Sequence, residues 1–259
     1  MATRPRTRRF LIATGLGVAL VLAVFALLPR PAPTPQDLFP YGEIRIAVDA
    51  SNPPFAVATA NDLFGLEIDL GNALGDYFGL PVRFVNMSFD GLYDSLKADQ
   101  ADMVIAALTI DPLRTGDVLY TRHYFDAGLV LVSPDDQPLT AMEDLSGQAL
   151  AYEFGSDADA LARRWLHRIA PFATRPYELP AHALEAVRLG QADAALVDRI
   201  SARLHQRDHD WQPHFTTITH NWYPVAVPKD EVARWQAVNQ AVRELDQNGT
   251  LDRIINTWL

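Results

Sequence analysis

Cysteine is absent from the 259-residue chain. Its absence excludes a disulfide framework, zinc or iron–sulfur sites ligated by cysteine, and a lipid anchor attached through a thiol. The chain also lacks the GxSxG motif of serine hydrolases, the phosphate-binding Walker loop and the dinucleotide-binding GxGxxG motif. We therefore expect no cofactor and no chemistry of these common types.

The seven histidines form no familiar metal motif. His205 and His209 are four residues apart, but no glutamate follows in the arrangement found in zinc proteases. The segment around them is polar, which predicts an exposed helix. The sequence therefore assigns no metal site and no catalytic residue.

Acidic residues are absent from the first 35 residues, which contain five arginines. Four of these precede Phe10–Leu28, a run of 19 residues without charge. Such a run is just long enough to span a bilayer, and the arginines favour export of the rest of the chain. Two fates stay open: a cleaved signal peptide, with Ala23 and Ala26 at cleavage-site spacing, or an uncleaved anchor. The proline-rich stretch Arg30–Gln36 is expected to be a stiff spacer.

Basic residues are few in the remainder of the chain. Residues 36–259 contain 17 basic and 32 acidic side chains, which gives a net charge of −15. Nucleic-acid binding requires clustered lysine and arginine to neutralise phosphates. Nucleic acid is therefore excluded as an expected partner.

From Glu43 onward, apolar runs typical of strands alternate with segments whose apolar residues recur at helical spacing. The first series has predicted strands at 44–48, 82–87 and 103–108 and predicted helices at 67–79 and 90–98. This β-α-β-α-β order predicts a parallel sheet with right-handed crossovers.

A second series follows the first. Its predicted strands are 148–154 and 192–197, and its predicted helices are 157–169, 181–189 and 199–207. A long helix at 230–247 and a short final helix, capped by Thr250, complete the pattern. The sequence thus predicts an α/β fold with two similar lobes.

The two series contain a weak internal repeat. Residues 95–108 resemble residues 186–198, because in each a predicted helix leads through Gln-Ala-Asp into an apolar strand. Each copy then delivers a polar residue to the carboxyl edge of its sheet, Thr109 in the first and Asp198 in the second. Open α/β sheets bind ligands at that edge, so two facing lobes would place both residues in one cleft.

Arg114 follows the first of these strands, five residues after Thr109. A guanidinium can hold a carboxylate through two parallel hydrogen bonds, and the carboxylate of Asp198 on the other lobe can hold an ammonium group. The pair therefore suits a zwitterion. Asp198 also precedes a predicted helix, so it can serve as a helix N-cap instead.

Further candidate contacts lie where other strands end. Phe154–Asp157 joins a strand to a helix, and its free backbone amides can receive an anion, although Ser156 or Asp157 can simply cap the helix. Phe55 and Phe89 follow the first and second strands. Each is either an aromatic platform for a ligand or a core residue.

From Ile44 to Leu259 the chain resembles the periplasmic-type amino-acid-binding proteins of ABC importers, which are the family 3 extracellular solute-binding proteins. Six segments carry the resemblance by their order and spacing: IRIAVDASNPPF (44–55), GLEIDLGNAL (65–74), FDGLYDSLKADQADMVIAALTIDPLR (89–114), EDLSGQALAYEFGSDA (143–158), LGQADAALVD (189–198) and NGTLDRIINTWL (248–259).

The resemblance implies a type II periplasmic-binding-protein fold, with two α/β lobes of parallel-type sheets and flanking helices. A two-strand hinge is expected near 127–132 and 222–227. The implied divisions are a signal peptide or anchor with spacer at 1–35, lobe 1 at 36–130, lobe 2 at 131–222, and a return to lobe 1 at 223–259.

Applied position by position, the resemblance implies nine ligand contacts. Arg114 and Thr109 would bind the ligand α-carboxylate, and Ser156 and Asp157 would add contacts from lobe 2. Asp198 and the Ala107 carbonyl would bind the α-ammonium group. The residues implied around the ligand side chain are Asp49, Phe55 and Phe89.

The chain departs from the family pattern at three places. Ala107 stands where glycine is common, Asp157 stands where a small or hydroxyl residue is common, and GLEID replaces the usual GFDVD. Ala107 is expected to tighten the pocket. Asp157 is expected either to repel a ligand carboxylate or to favour a cationic side chain.

The function implied by the resemblance is that of a monomeric, extracytoplasmic receptor for a polar amino acid. It would bind without chemistry and deliver its ligand by hinge closure to the membrane subunits of an ABC importer. Two alternatives stay open. One is an exported enzyme similar to cyclohexadienyl (prephenate/arogenate) dehydratases, which needs a general acid, with Glu153 and Asp157 as candidates. The other is a membrane-tethered sensor domain.

Overall fold

The computed structural model describes residues 33–259. The apolar run Phe10–Leu28 and its flanking arginines lie outside the described residues. Within 33–259, none of the helices combines the length and apolar character needed to cross a membrane.

The described chain contains thirteen strands, eight α-helices and three 3₁₀ turns. The strands are β1 Ile44–Val48, β2 Ser51–Asn52, β3 Ala56–Ala58, β4 Leu63–Phe64, β5 Val82–Asn86, β6 Met103–Val104, β7 Val118–Asp126, β8 Leu129–Ser133, β9 Ala149–Glu153, β10 Ala173–Tyr177, β11 Ala194–Asp198, β12 His214–Thr217 and β13 Trp222–Pro228. The helices are α1 Pro35–Leu38, α2 Leu66–Phe78, α3 Leu92–Lys97, α4 Asp157–Trp165, α5 Pro180–Arg188, α6 Arg199–Asp208, α7 Val232–Gln247 and α8 Thr250–Trp258. The 3₁₀ turns are Phe89–Gly91, Pro112–Arg114 and Met142–Leu145.

Two five-stranded sheets form the two lobes. The sheet of lobe 1 has the order β5-β1-β6-β13-β7, and that of lobe 2 has the order β10-β9-β11-β8-β12. Three strands of each sheet run parallel, as the sequence predicts. The other two strands of each sheet make antiparallel pairings, so the sheets are mixed rather than wholly parallel. A small antiparallel sheet, β2-β3-β4, extends from lobe 1.

Helix α2 shows how the apolar pattern produces the core of lobe 1. Leu66, Leu70 and Leu74 are fully buried at intervals of four residues, which places them on one helix face against the sheet. The helix ends at Gly79, whose φ of 66° is the left-handed conformation that glycine adopts without a steric penalty.

Strand β6 is shorter than the predicted 103–108. Pairing ends at Val104, although Ile105 and Leu108 remain buried. Ala107 has a φ of 48°, outside the extended region, and its amide donates to the Glu67 carboxylate instead of to a neighbouring strand. A side chain from another element therefore ends the strand early.

Three helix predictions differ in detail from the structure. The helix predicted at 157–169 ends at Trp165. The last helix is capped at Gly249 and not by Thr250, whose amide donates to the Asn248 side chain over 2.9 Å. Helix α6 is not a wholly exposed polar helix, because His205 is only 6% exposed.

The end of the proline-rich stretch is helical and not an extended spacer. Thr34 and Asp37 form a capping box around α1, with Pro35 in the first turn, where a missing amide proton costs nothing. Leu38 and Phe39 then pack into the core of lobe 1. The spacer predicted at Arg30–Gln36 therefore becomes part of the folded lobe from Thr34 onward.

Two short crossovers join the lobes. The chain leaves β7 at Asp126 and enters β8 at Leu129, and it returns between β12 and β13 through residues 218–221. The predicted hinge strands near 127–132 and 222–227 thus lie mostly inside the sheets, since β8 belongs to lobe 2 and β13 to lobe 1. The crossovers themselves touch at Gly128, where a Cβ would lie 1.9 Å from the Thr219 carbonyl oxygen.

We predict that Gly128→Ala destabilises the protein, because the added methyl group must push the two crossovers apart. Overpacking of this kind lowers the free energy of unfolding by about 1–3 kcal/mol. Urea denaturation measures the change. The matched control is Gly116→Ala, since a Cβ at Gly116 has no neighbour within 4 Å. Equal denaturation midpoints for the two variants would show that the crossovers tolerate separation.

Candidate ligand-binding cleft

A cavity of about 590 Å³ opens between lobe 2 and the crossovers. Both crossovers, the end of β11 and the start of α4 form its walls. Its polar lining residues are Glu153, Ser156, Asp157, Arg164, Asp198, Thr219, His220, Asn221 and Tyr223. Three of the residues predicted to bind ligand, Ser156, Asp157 and Asp198, therefore share one cavity.

Asp198 occupies the last position of β11 and the N-cap of α6. Its Oδ1 accepts a hydrogen bond of 2.8 Å from the amide of Ser201. The cap uses this one oxygen, and Oδ2 has no part in it. The two interpretations of Asp198 from the sequence are therefore compatible, since a half-buried carboxylate can cap the helix and also face a ligand.

Two amides of the turn between β9 and α4 are already occupied and are not free to receive an anion. The amide of Phe154 donates to the backbone carbonyl of Tyr177 over 2.8 Å, and the amide of Gly155 donates to the carboxylate of Asp159 over 2.9 Å. Asp159 is held there by Arg163, whose guanidinium is the main reason that the pKa of Asp159 is lowered. A carboxylate of the protein itself thus occupies the anion position of this turn.

Ser156 and Asp157 have different roles at the start of α4. Ser156 is the N-cap, since its Oγ accepts from the Asp159 amide over 3.3 Å and donates to the Glu153 carbonyl over 2.7 Å. Asp157 is the first helical residue and is exposed on the cavity wall. Asp157 is therefore not the capping residue, and it forms part of the cavity wall.

The lobe 1 candidates follow the carboxyl ends of the parallel strands β1, β5 and β6, and none of them lines the lobe 2 cavity. They are Asp49, Phe89, Ala107, Thr109 and Arg114. The sheet order places the ends of these three strands side by side, so the topology groups the candidates along one edge of lobe 1.

Arg114 is positioned by a short 3₁₀ turn, Pro112–Arg114. Asp111 caps this turn by accepting from the Leu113 amide over 2.8 Å. The Arg114 guanidinium carbon lies 4.9 Å from the centre of the Tyr93 ring, which orients the side chain. Within the part of the chain that the structure describes, no carboxylate forms a salt bridge with Arg114. Its charge is therefore available to an anion from outside.

The two aromatic candidates have different surroundings. Phe89 is 51% exposed at the edge of lobe 1, where it can meet a ligand. Phe55 is 2% exposed, with its ring centre 5.8 Å from that of Phe125 and 5.7 Å from that of Tyr223. The prediction that Phe55 surrounds the ligand side chain is therefore wrong. Phe55 is a core residue that supports Tyr223, which itself lines the cavity.

A buried carboxylate, Glu67, lies beneath the lobe 1 candidates and was not among the residues predicted to matter. Its Oε1 accepts from the Tyr124 hydroxyl and from the Ala107 amide, each over 2.5 Å, and its Oε2 is buried without a partner among the described residues. Burial is the main cause that raises the pKa of Glu67 to about 7, and the nearby Asp49 raises it further. Glu67 therefore fixes the Ala107 turn and titrates near neutral pH.

One feature of the sequence pointed to Glu67, but none pointed to Tyr223 and Asn221, which were also not predicted to belong to the site. Glu67 stands in GLEID, one of the three departures from the family pattern. Tyr223 and Asn221 enter the cavity because the return crossover passes behind it, which no local pattern indicates.

Comparisons with known proteins agree with this architecture. The sequence profile of the family described as bacterial extracellular solute-binding proteins, family 3, matches residues 44–259. The arginine-binding extracellular protein of Bacillus subtilis (strain 168) is 23% identical over 82% of this chain and 84% of its own length. The lysine/arginine/ornithine-binding periplasmic protein of Escherichia coli (strain K12) is 29% identical over 83% of this chain and 86% of its own length.

A solved structure of an ancestral cationic amino acid solute-binding protein is also similar. It superimposes with a TM-score of 0.60 at 26% identity, covering 86% of this chain and 98% of that chain. The predicted two-lobed fold class is thereby confirmed. These relatives are named as binding proteins, which agrees with the prediction of a protein that binds without chemistry.

We predict a pH-dependent contribution of Glu67 to stability. The pKa of Glu67 is about 7 in the folded state and 4.5 without the protein environment. A carboxyl whose pKa is raised by folding stabilises the fold fully below pH 4.5 and loses that contribution as the pH rises to about 7. The wild type should therefore lose up to about 1.4 kcal/mol per pH unit relative to Glu67→Gln across this window. Urea denaturation from pH 4.5 to 8 measures the difference. The control Glu143→Gln changes an exposed carboxylate and should parallel the wild type. A pH-independent difference for Glu67→Gln would contradict the assignment.

Proposed function

Because this chain belongs to the bacterial extracellular solute-binding proteins of family 3, we propose that it is an amino-acid receptor that closes its two lobes around its ligand. Closure around a bound solute is a hinge motion about the two crossovers. The closed form would then deliver the amino acid to the membrane subunits of an ABC importer. A single chain supplies both faces of the cleft, so we propose that the monomer is the binding unit.

The observation that carries this proposal is a pair of opposite charges, one following the parallel strands of lobe 1 and one ending a strand of lobe 2. Arg114 on lobe 1 has no carboxylate partner within residues 33–259, and Asp198 on lobe 2 lines the cavity with Oδ2 outside its helix cap. A zwitterion whose α-carboxylate meets Arg114 and whose α-ammonium meets Asp198 would satisfy both groups through charge-assisted hydrogen bonds. We propose Thr109 and Ser156 as further contacts to the ligand.

We propose that the ligand is a cationic amino acid. The proposed cleft has more acidic than basic side chains. The basic ones are Arg114 and Arg164. The acidic ones are Asp49 and Glu67 on lobe 1 and Glu153, Asp157 and Asp198 on lobe 2. With Asp198 and Arg114 engaged by the amino-acid backbone, the remaining carboxylates favour a positive side chain. The names of the similar proteins, which refer to arginine, lysine, ornithine and cationic amino acids, support the same ligand class.

We predict that Arg114→Ala abolishes amino-acid binding while leaving the fold intact. Loss of one partner of a desolvated charge pair costs about 2–5 kcal/mol of binding free energy. Arg114→Lys should also bind poorly, because an ammonium lacks the planar fork that holds both carboxylate oxygens. Isothermal titration calorimetry measures the affinities. The matched control is Arg83→Ala, an exposed arginine of β5 paired with Glu43. Wild-type affinity in Arg114→Ala would remove this residue from the site.

We predict that arginine, lysine or ornithine binds more tightly than glutamate or aspartate. A thermal-shift screen of the twenty amino acids and ornithine tests the ranking, since a ligand at 100 times its dissociation constant adds about 2.7 kcal/mol to stability. Asp157→Asn should weaken binding of the cationic ligands and leave that of glutamine nearly unchanged. Tighter binding of glutamate than of arginine would reject the proposed ligand class.

We propose that the protein works on the outer face of the cytoplasmic membrane and that residues 1–32 tether it there. The support is the sequence of that segment: four arginines, then 19 uncharged residues, ahead of helix α1 of lobe 1. An apolar run of that length inserts favourably into a bilayer, and with no cysteine the chain has no thiol for a lipid anchor. Because α1 is part of lobe 1, a tether would hold the receptor close to a transporter in the membrane.

The fate of the N-terminus can be measured directly. We predict full-length protein in the membrane fraction by intact-mass analysis after cell fractionation. A mature product that begins near Leu27 and is released with the periplasm would show a cleaved signal peptide and a free receptor. Full-length protein in the cytosol would contradict both export and tethering.

A further inference from the structure

A cluster of three potential metal ligands lies on lobe 2 outside the cleft. Glu185 belongs to α5, His205 to α6, and His209 directly follows α6. One ligand atom from each residue can be chosen so that all three atoms lie within 4.8 Å of one another. None of the three residues lines the cavity between the lobes, so the cluster is separate from the proposed amino-acid site.

His205 carries the strongest indication of a ligand. Its side chain is 4% exposed, and its Nε2 is buried with no hydrogen-bond partner in the described residues. Buried polar atoms without a partner are rare in folded proteins and need an explanation. The Nε2 atom lies 3.7 Å from Oε2 of Glu185, which is too far for a hydrogen bond but leaves space for a shared ion.

His209 is oriented as metal-binding histidines usually are. Its Nδ1 lies 3.1 Å from the backbone carbonyl oxygen of His205, so Nδ1 carries the proton and Nε2 keeps a free lone pair. Its ring lies over that of His205, with the ring centres 4.0 Å apart. The two imidazoles thus come from one helix face, four residues apart.

Glu185 supplies an ionised carboxylate to the same place. Arg188 donates to both of its oxygens, over 2.8 and 2.6 Å, and this interaction is the main reason that the pKa of Glu185 is lowered. Each carboxylate oxygen keeps a lone pair after accepting one hydrogen bond. Arg188 therefore holds the carboxylate in place, although its positive charge also weakens the attraction for a cation.

We propose that Glu185, His205 and His209 form a binding site for one divalent transition-metal ion, with Zn²⁺ as the best match. Two imidazole nitrogens and one carboxylate oxygen are borderline ligands that suit Zn²⁺ better than Ca²⁺ or Mg²⁺. In a tetrahedral zinc site such ligand atoms lie ~3.3 Å apart, so the distances between the three ligand atoms have to shorten when the ion binds. The exposed His209 can make this adjustment, and water takes the fourth position.

The ion would join α5 to α6 on the outer face of lobe 2. Since Asp198 caps the first turn of α6, a metal that fixes α6 also steadies one wall of the cleft without contacting the amino acid. The site is structural in this respect, and we assign it no catalytic step. Without a metal, His205 would remain a buried histidine packed edge-on against Trp211.

The test uses untagged full-length protein that has been dialysed against a chelator and then titrated with zinc chloride by calorimetry. We expect one Zn²⁺ per chain, a raised melting temperature, and visible absorption bands of tetrahedral symmetry when Co²⁺ replaces Zn²⁺. His209→Gln removes an exposed ligand, so metal-free stability should not change, whereas Zn²⁺ affinity should fall by more than roughly tenfold. Glu185→Gln should weaken Zn²⁺ binding in the same direction.

The matched control is His167→Gln, which removes an exposed histidine of lobe 2 outside the cluster. It should bind Zn²⁺ like the wild type. Equal affinities for the wild type and His209→Gln, or binding lost equally in His167→Gln, would overturn the proposal and show scattered surface binding. Arginine titrations of the same variants distinguish this site from the cleft, since the cluster variants should retain amino-acid binding.

Discussion

The carboxylate of Asp126 links the two crossovers that connect the lobes, and the relative position of the lobes depends on these crossovers. Its Oδ1 accepts from the amides of Gly128 and Asn221, over 3.0 and 2.9 Å, and its Oδ2 lies 2.6 Å from Nδ1 of His220. Burial alone would raise the pKa of Asp126, but these hydrogen bonds outweigh it and the pKa is lowered. One ionised side chain therefore holds together residues almost a hundred positions apart at the junction between the lobes.

The lobes also touch away from the cleft, through α6 and α8. Arg203 donates to the side chain of Asn256 over 2.5 Å, and Arg207 donates to the carbonyl of Trp258 over 2.9 Å. Ile200 and Leu204 pack against the core of lobe 1 beside these polar contacts. Since Asp198 caps α6, a rotation that brings Asp198 toward Arg114 is expected to rearrange this second contact as well. Under the proposed function, the affinity for ligand would then depend on both interfaces.

In the proposed receptor, different charged groups would recognise the amino-acid backbone and the amino-acid side chain. Arg114 and Asp198 are opposite charges on opposite lobes, and each is held by local structure: a stacked Tyr93 ring for Arg114 and a helix cap for Asp198. In this proposal the surplus of carboxylates acts on the ligand side chain. Glu67 is partly neutral near pH 7, because burial opposes its charge, so it contributes less to this surplus than Asp157 does.

The sequence alone determined the elements, their order and the family, and it singled out the two charged residues on which the proposed function rests. Apolar runs and helical spacing are local properties, and a polar residue after a buried strand reaches the sheet edge wherever that strand lies. Arg114, Asp198 and Asp157 could therefore be selected from the pattern. Their positions in the structure follow from strands that the sequence predicts.

The tertiary structure decided whatever depends on residues far apart in the chain. Phe55 faces the core because Phe125 and Tyr223 surround it, and β6 ends early because Glu67 captures the Ala107 amide. His205 was predicted to be exposed, yet it is buried where α5 and α6 pack together. In each case the deciding contact joins residues of separate elements. Local periodicity does not indicate which distant side chain will form such a contact, because only the packing of the folded chain brings the two residues together.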